Sequence, residues 1–275
     1  MKARQGVYIG HAVLIMAAII ALYPFLSILS LAMSRPGERP TGAALPTSLY
    51  FENFVHAWQR GGFSTALVSS LIVAVAVVVG TLLVTVPAGY AFSRAISPTL
   101  VIINGILLLG LVMPYEATII PLYHMFDSWG LLNSYWALIL PQVGLSTSFA
   151  TLWLRSVFSQ SPESIEEAAA LDGASRIRTL ISIVLPMHVP ALVALGALLF
   201  LFTWNEFLLA LVLVPDGQTV QTAPLALSFF SGNRRLSDPA VTAAAAVLVA
   251  TPVLVLYLFL QRKLISGMIA GGVKE

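Results

Sequence analysis

Residues 167–186 read EAAALDGASRIRTLISIVLP, a polar and charged stretch between two strongly apolar segments. The chain around it is poor in charge, because 58% of its 275 residues are hydrophobic and 9% are charged. Soluble domains carry about a quarter charged residues, so this composition predicts an integral membrane protein. In such a protein, a compact charged segment indicates a surface that binds a partner.

Six apolar runs are long enough to cross about 30 Å of hydrocarbon as helices. Helices are expected because lipid satisfies no backbone hydrogen bonds and because the alternation of a β-barrel is missing from the sequence. The first run is too long for a signal peptide and should be a retained span. We expect an all-α membrane protein with one domain over 1–275 and a core over about 64–262. The six runs cover 8–33, 64–92, 99–123, 134–158, 187–214 and 241–261.

The distribution of basic residues predicts the orientation of the chain. An even number of spans places both termini on one side, and the cytoplasmic side carries the excess of Lys and Arg. Five basic residues lie on the opposite side. We therefore expect both termini and the segment 159–186 in the cytoplasm. The nine residues on that side are Lys2, Arg4, Arg94, Arg155, Arg176, Arg178, Arg262, Lys263 and Lys274.

Two of the expected outer loops are long. The loop 34–63 is rich in Pro and Gly at first and more amphipathic over 51–60, which predicts an extended segment followed by a short surface helix. The loop 215–240 carries the tract SGNRRLSDP at 231–239 and is expected to be mobile.

The segment 159–186 is predicted to form a helical hairpin. Ser161 before a proline, or Ser164 three residues before a glutamate, supplies a helix cap. The first helix should end at Asp172 and Gly173, because glycine readily adopts the left-handed conformation. A second helix over 174–185 should lead to Pro186 and the fifth span.

The first helix of this hairpin suits a protein groove. Small residues at 168–170 make it thin, and acidic residues near its start favour a basic partner surface. The alternative is an amphipathic helix that rests on lipid headgroups, which requires a basic polar face. Anionic lipid would instead repel the four acidic residues Glu163, Glu166, Glu167 and Asp172.

The spacing of Glu167-Ala168-Ala169, Gly173 and Ile183-x-Leu185-Pro186 resembles the EAA signature of permease subunits of bacterial ATP-binding-cassette importers. This resemblance implies the type I importer fold. It also implies a coupling helix that docks on a separate ATPase subunit. The residues that the resemblance assigns to coupling are Glu166, Glu167, Ala168, Ala169, Leu171, Asp172, Gly173, Ile183, Leu185 and Pro186.

Other stretches are similar to carbohydrate importers, and to the shorter, six-span partner of a permease heterodimer of the maltose type. The resemblance implies a multi-pass protein of the bacterial inner membrane, with a second permease, two ATPase subunits and an extracytoplasmic solute-binding protein. Relatives often carry a Trp-Gly element where this chain has 231–235, so contacts with a binding protein are not carried over there. The similar stretches are Met113-Pro114, 120–123, 130–136, 204–207 and 261–274.

Polar residues within the apolar runs mark a candidate substrate pathway. Asn205 and Glu206 are costly in lipid and should face a cavity or a polar neighbour, while Trp204 and Phe207 could stack on a sugar ring. Alternatively, the polar pair bonds to another span and never meets substrate. Glu116 follows a proline kink that suits either a gate or ordinary packing.

Catalytic motifs are missing from the sequence. It has no cysteine, no phosphate-binding loop, no nucleophile elbow and no zinc-protease motif, and His188 has no partner at metal-ligand spacing. We expect a translocation subunit that is not an enzyme, with no metal, no cofactor of its own and no nucleic-acid partner, while the ATPase subunits use ATP and Mg. The expected substrate is a carbohydrate. The alternative substrate is glycerol phosphate or another polyol. The alternative class of protein is an ATP-independent secondary transporter, which would need carboxylates that bind a coupling ion and internal repeats.

Overall fold

The structure is a computed structural model that describes residues 2–35, 37–38, 49–94, 97–217, 219–232 and 238–272. Within these ranges all regular elements are helical, which confirms the all-α class. In chain order the helices are α1 (Lys2–Ala32), α2 (Glu52–Gly61), α3 (Phe63–Arg94), α4 (Pro98–Val112), α5 (Ile119–Ser128), α6 (Tyr135–Phe158), α7 (Glu163–Leu171), α8 (Arg176–Thr179), α9 (Leu185–Met187), α10 (Val189–Trp204), α11 (Leu208–Leu213), α12 (Ala223–Gly232) and α13 (Pro239–Gly272).

Four of these helices contain a stretch long and apolar enough to cross a membrane, namely Tyr8–Ala32, Phe63–Arg94, Tyr135–Phe158 and Pro239–Gln261. They match the first, second, fourth and sixth predicted spans. The third and fifth predicted spans are instead broken, so six crossings result only if each bent helix pair counts as one span. The cytoplasmic position of the termini stays a prediction.

The third predicted span is two helices that meet at 93°. Met113 and Pro114 adopt extended backbone conformations, and a 3₁₀ turn at Tyr115–Thr118 leads into α5. Proline has no N–H to donate and disfavours helical backbone in the residue before it. The predicted bend is confirmed, but the continuous run over 99–123 is wrong.

The fifth predicted span is also interrupted. The segment Arg176–Met187 meets α10 at 82°, with His188 at the corner, and α10 stops at Trp204 before α11 starts at Leu208. The Glu206 carboxylate Oε1 accepts the N–H of Leu209 at 2.9 Å, which caps the new helix. A continuous helix over 187–214 is therefore wrong, because a polar pair ends one helix and caps the next.

The chain forms two compact units. The first combines Met1–Thr65 with Ala226–Pro252, and the second combines Ala66–Leu225 with Val253–Glu275. In the first unit, the Asn53 amide donates to the carbonyls of Ala32 at 2.9 Å and Ser34 at 2.7 Å, which fixes α2 against the end of α1. The single domain predicted over 1–275 stays a prediction.

In the second unit, α6 contributes to two hydrophobic clusters. Ala150, Leu154 and Phe158 pack with residues of α10 and with Leu180 and Val184 from the segment before α9. The backbones of α3 and α6 approach closely at Gly89, where an added Cβ would lie 2.7 Å from the Cβ of Leu154. The core therefore positions the hairpin 159–186 beside α3 and α10.

Two predicted loops contain helices. The short helix expected over 51–60 is confirmed as α2. The loop predicted over 215–240 is partly wrong, because the apolar stretch from Ala223 to Gly232 forms α12, in which Leu225 and Phe230 are buried. The tracts 39–48 and 233–237, within the extended segment and the mobile loop of the prediction, lie outside the described residues.

Candidate functional site

The hairpin 159–186 forms with the glycine turn that the sequence predicts. Helix α7 ends at Leu171, and Gly173 follows with φ +78°. The N–H of Gly173 donates to the carbonyl of Ala170 at 3.0 Å, and the N–H of Ala174 donates to that of Ala169 at 2.9 Å. This hydrogen-bond pair is a Schellman motif, which requires the left-handed residue at position 173.

The return arm of the hairpin is shorter and less regular than predicted. It starts at Arg176, one turn of α8, and continues as a π-helical segment at Leu180–Val184 before α9. The N–H of Leu185 donates to the carbonyl of Leu180, five residues back, next to Pro186, which has no N–H. The helix predicted over 174–185 therefore contains a local distortion and runs on to Met187.

The predicted caps of α7 are wrong. Neither Ser161 nor Ser164 caps the helix, since its N-cap is Pro162 and no side chain accepts a hydrogen bond there. The Ser161 hydroxyl is buried and lies 2.6 Å from Nε2 of His188. This bond ties the start of the hairpin to the corner before α10.

The two neighbouring acids of α7 have different surroundings. Glu167 is exposed and has no hydrogen bond or ion pair with another described residue. The Glu166 carboxylate accepts from Nε and Nη2 of Arg94 and from the hydroxyl of Tyr90, the Nε and hydroxyl contacts both being 2.8 Å. The Arg94 and Glu166 side chains are 18% and 16% exposed. Glu166 therefore bonds within the chain, while Glu167 is open to a partner.

Apolar side chains are exposed at the tip of the hairpin. Leu171 is 90% exposed and Ile177 is 71% exposed, on either side of the glycine turn. Ala168 and Ala170 are exposed beside them, whereas Ala169 is buried. Of the other assigned residues, Asp172 is exposed in the turn itself. Ile183 and Leu185 are half-buried in the return arm, where Leu185 packs against the α6 cluster.

A cavity of about 350 Å³ lies between α4, α6 and α10, beside both helix breaks. Its polar lining residues come from separate elements and include Tyr115, Gln142, Ser146, Thr203 and Glu206. Among the described residues that line it, Glu206 is the one with a charge. The rings of Phe149 and Phe202, with centroids 6.2 Å apart, form part of its apolar wall.

Of the five predicted pathway residues, the structure places only Glu206 in the wall of this cavity. Trp204 is 3% exposed and stacks on Phe200 at 5.4 Å, so its ring is not open to a ligand here. Asn205 is exposed and donates to the carbonyl of Leu201 in its own helix at 2.8 Å. Phe207 packs against a core cluster, and Glu116 is exposed on the 3₁₀ turn.

The alternative for the polar pair, bonding to another span, stays a prediction. The described hydrogen bonds of Asn205 and Glu206 are to Leu201 and Leu209, in the same stretch of chain, while the phenol of Tyr115, from the third predicted span, interacts with Glu206. The sequence interpretation missed Tyr115, Gln142, Phe149 and Phe202. Gln142, a lone amide after a proline in the fourth apolar run, was the signal that could have been used.

Residues 86–269 match the family described as binding-protein-dependent transport system inner membrane component. The chain belongs to this family. This inner membrane component is therefore a multi-pass transport permease, as the sequence analysis predicted.

Relatives and a solved structure agree with this assignment. This permease is 30% identical to the trehalose transport system permease protein SugB of Mycobacterium tuberculosis, over 92% of its own length and 93% of the relative's. It is 32% identical to the diacetylchitobiose uptake system permease protein NgcG of Streptomyces coelicolor, over 98% of its own length and 89% of the relative's. A chain of a bacterial ABC transporter involved in the import of the acidic polysaccharide alginate shares its fold. The TM-score is 0.78, the match covers 95% of this permease and 97% of that chain, and the two sequences are 23% identical.

Proposed function

We propose that this permease is the translocation subunit of an ATP-driven, binding-protein-dependent carbohydrate importer, coupled to a separate ATPase subunit through the hairpin 159–186. The observation that carries the proposal is the exposed hairpin tip. Leu171 at 90% exposure and Ile177 at 71% flank a turn that is closed by its own hydrogen bonds. Large exposed apolar side chains outside the long apolar helices mark a binding surface. The exposed acidic residues Glu167 and Asp172 beside them favour a protein partner over anionic lipid.

The chemistry of the hairpin favours a basic, grooved partner. Glu167 and Asp172 are exposed beside the apolar tip, whereas the exposed Glu163 lies at the opposite end of α7. A short helix with an apolar edge and acidic neighbours fits a hydrophobic groove with a cationic rim. An ATPase subunit that closes on ATP would move this helix, and the second permease of the assembly would complete the translocation path.

Carbohydrate is the proposed cargo because both named relatives are sugar permeases and because the cavity suits a neutral polyhydroxylated molecule. Small-ligand sites combine an apolar wall with a few placed polar groups, as Phe149, Phe202 and Glu206 do here. A phosphorylated polyol fits less well. Its anionic group would meet the Glu206 carboxylate, and no cationic side chain lines the described part of the cavity.

The test is substrate-stimulated ATP hydrolysis in proteoliposomes that contain the complete complex and its binding protein. Glu167→Lys should lower stimulation by roughly tenfold, because it places a cation against a basic partner surface. Glu163→Lys makes the same charge change at the start of the same helix and serves as the matched control. Equal stimulation in the wild type and Glu167→Lys would reject the docking role, and a binding protein that recognises a peptide or metal would reject the sugar assignment.

A further inference from the structure

We propose that Tyr90, Arg94, Phe158, Ser161, Glu166 and His188 form a junction that makes α3 and the arm before α10 move together with α7. Glu166 is then a positioning residue that acts inside this chain, not a contact of the ATPase. The inference rests on the proposed coupling of the hairpin to an ATPase, and it concerns how motion leaves the hairpin. Without such links, displacement of α7 would be absorbed by the loops at its ends.

The first fastening joins α3 to α7. Arg94 lies in the last turn of α3 and Tyr90 one turn earlier, so both side chains project from the same face. Each donates to the Glu166 carboxylate, which receives three hydrogen bonds, two of them from the guanidinium. Among the described residues, no other hydrogen bond or ion pair joins these two helices. Charge-assisted bonds to a half-buried carboxylate are stronger than neutral ones.

This fastening bridges an open space instead of reinforcing a packed interface. A cleft of about 760 Å³ lies between the end of α3 and the hairpin, and Tyr90, Arg94 and Glu166 all line it. Pro87 and Ala91 face the same cleft from α3, and Ala170 and Ala174 face it from the hairpin. Because these small side chains leave the cleft open, the direct contact between α3 and α7 is made by the ion pair and the phenol.

The second fastening joins the start of the hairpin to the corner before α10. The Ser161 hydroxyl bonds to His188 Nε2 at 2.6 Å, and the Ser161 carbonyl lies 3.4 Å from Nη2 of Arg94. Ser161 thus contacts both the corner residue and the arginine that holds Glu166. The corner is where the chain turns by 82°, so this bond acts on the orientation of α10.

Aromatic contacts combine the two fastenings into one cluster. Phe158, the last residue of α6, is buried between Tyr90 at 6.2 Å and His188 at 5.7 Å, measured between ring centroids. Both contacts are edge-to-face, an arrangement that stabilises ring pairs. The junction therefore links α3, α6, α7 and the α10 corner through contacts that a rigid displacement of α7 would carry along.

The chain contains no cysteine, which permits a direct test of this linkage with two engineered labels. Leu83→Cys on α3 and Arg178→Cys on the hairpin replace exposed residues and accept spin labels without a background thiol. The distance between the labels is measured in the reconstituted complex with and without ATP, together with transport and hydrolysis. If the junction holds these elements together, the distance between the two labels is the same with and without ATP in the chain that carries only the two label substitutions.

Glu166→Gln and Arg94→Gln should each produce a distance that changes with ATP. They should lower transported substrate per ATP by about tenfold, the effect of one lost charged hydrogen bond, while hydrolysis and ATPase co-purification persist. The double variant should be no worse than either single one, because the same interaction is already broken. Glu163→Gln, a neighbouring acid that has no bond with another described residue, should behave as the unaltered chain.

The outcomes separate this inference from the proposed function. The junction is refuted, while the docking role stands, if Glu166→Gln releases the ATPase subunits, as the loss of a contact residue would. It is refuted equally if Glu166→Gln leaves both the label distance and the amount of substrate transported per ATP unchanged. If the unaltered complex hydrolyses no ATP in response to substrate, the proposed function itself fails. Ser161→Ala tests the second fastening, and additive loss with Glu166→Gln would contradict a single cluster.

Discussion

The hairpin and the membrane cavity of this permease are built in opposite ways. The hairpin is continuous in sequence, and its turn is closed by local hydrogen bonds around Gly173. The cavity is assembled from α4, α6, α10 and the two breaks beside them, with polar groups that are far apart in the chain. The hairpin therefore keeps its shape largely by itself, whereas the shape of the cavity depends on how several helices are packed. This difference suits a rigid hairpin that transmits motion to a cavity whose shape changes.

The largest expected effect comes from breaking the local geometry of the hairpin. Gly173→Val should lower substrate-stimulated hydrolysis by roughly tenfold or more, because a left-handed conformation costs a side chain about 1–2 kcal/mol and a β-branched one more. Gly62→Val is the matched control, since Gly62 caps α2 with φ +61° and an added Cβ meets nothing within 4 Å, as at Gly173. Similar losses of hydrolysis in both variants would show that the effect is general backbone strain.

A smaller effect is expected from the cavity. Glu206→Gln should lower transport of a neutral sugar by about fivefold, because hydrogen bonds to a charged acceptor are stronger than those to an amide. It should also increase inhibition by an anionic analogue of the same sugar, since the repelling charge is gone.

Glu116→Gln is the control for the cavity, because Glu116 lies on the adjacent turn but does not line the site. Transport and inhibition are measured as initial uptake rates in proteoliposomes. If the two variants had the same sugar selectivity, the cavity would not be part of the translocation path.

The sequence was sufficient for the hairpin because its signals are local. Gly173 and the acids of α7 are close together, so the turn and the first arm could be predicted from spacing. The π-helical distortion of the return arm at Leu180–Val184 could not. The caps were predicted wrongly, since Ser161 bonds to His188, 27 residues away. The separate roles of Glu166 and Glu167 also depend on a distant helix, which spacing along the hairpin does not reveal.

The cavity and the broken spans were harder to predict. Pro114 predicted a bend in the 25-residue run 99–123, but not that the backbone turns by 93° there. In the 28-residue run 187–214, Asn205 and Glu206 were interpreted as pathway residues and not as the end of a helix. Trp204 and Phe207 have the right chemistry for a sugar, yet they face the core, because helix rotation is set by packing with α3 and α6. Phe149 and Phe202 lie in the cavity wall and resemble ordinary span residues in the sequence.

The most direct test of the coupling account is a crosslinking measurement at the hairpin tip. Leu171→Cys places a unique thiol at a side chain that is 90% exposed, in a chain with no other cysteine. A short photoactivatable crosslinker on this thiol, in the assembled complex in membranes, should give a product that contains the ATPase subunit, and the amount of that product should depend on ATP. Products that contain only lipid or the second permease would contradict the account.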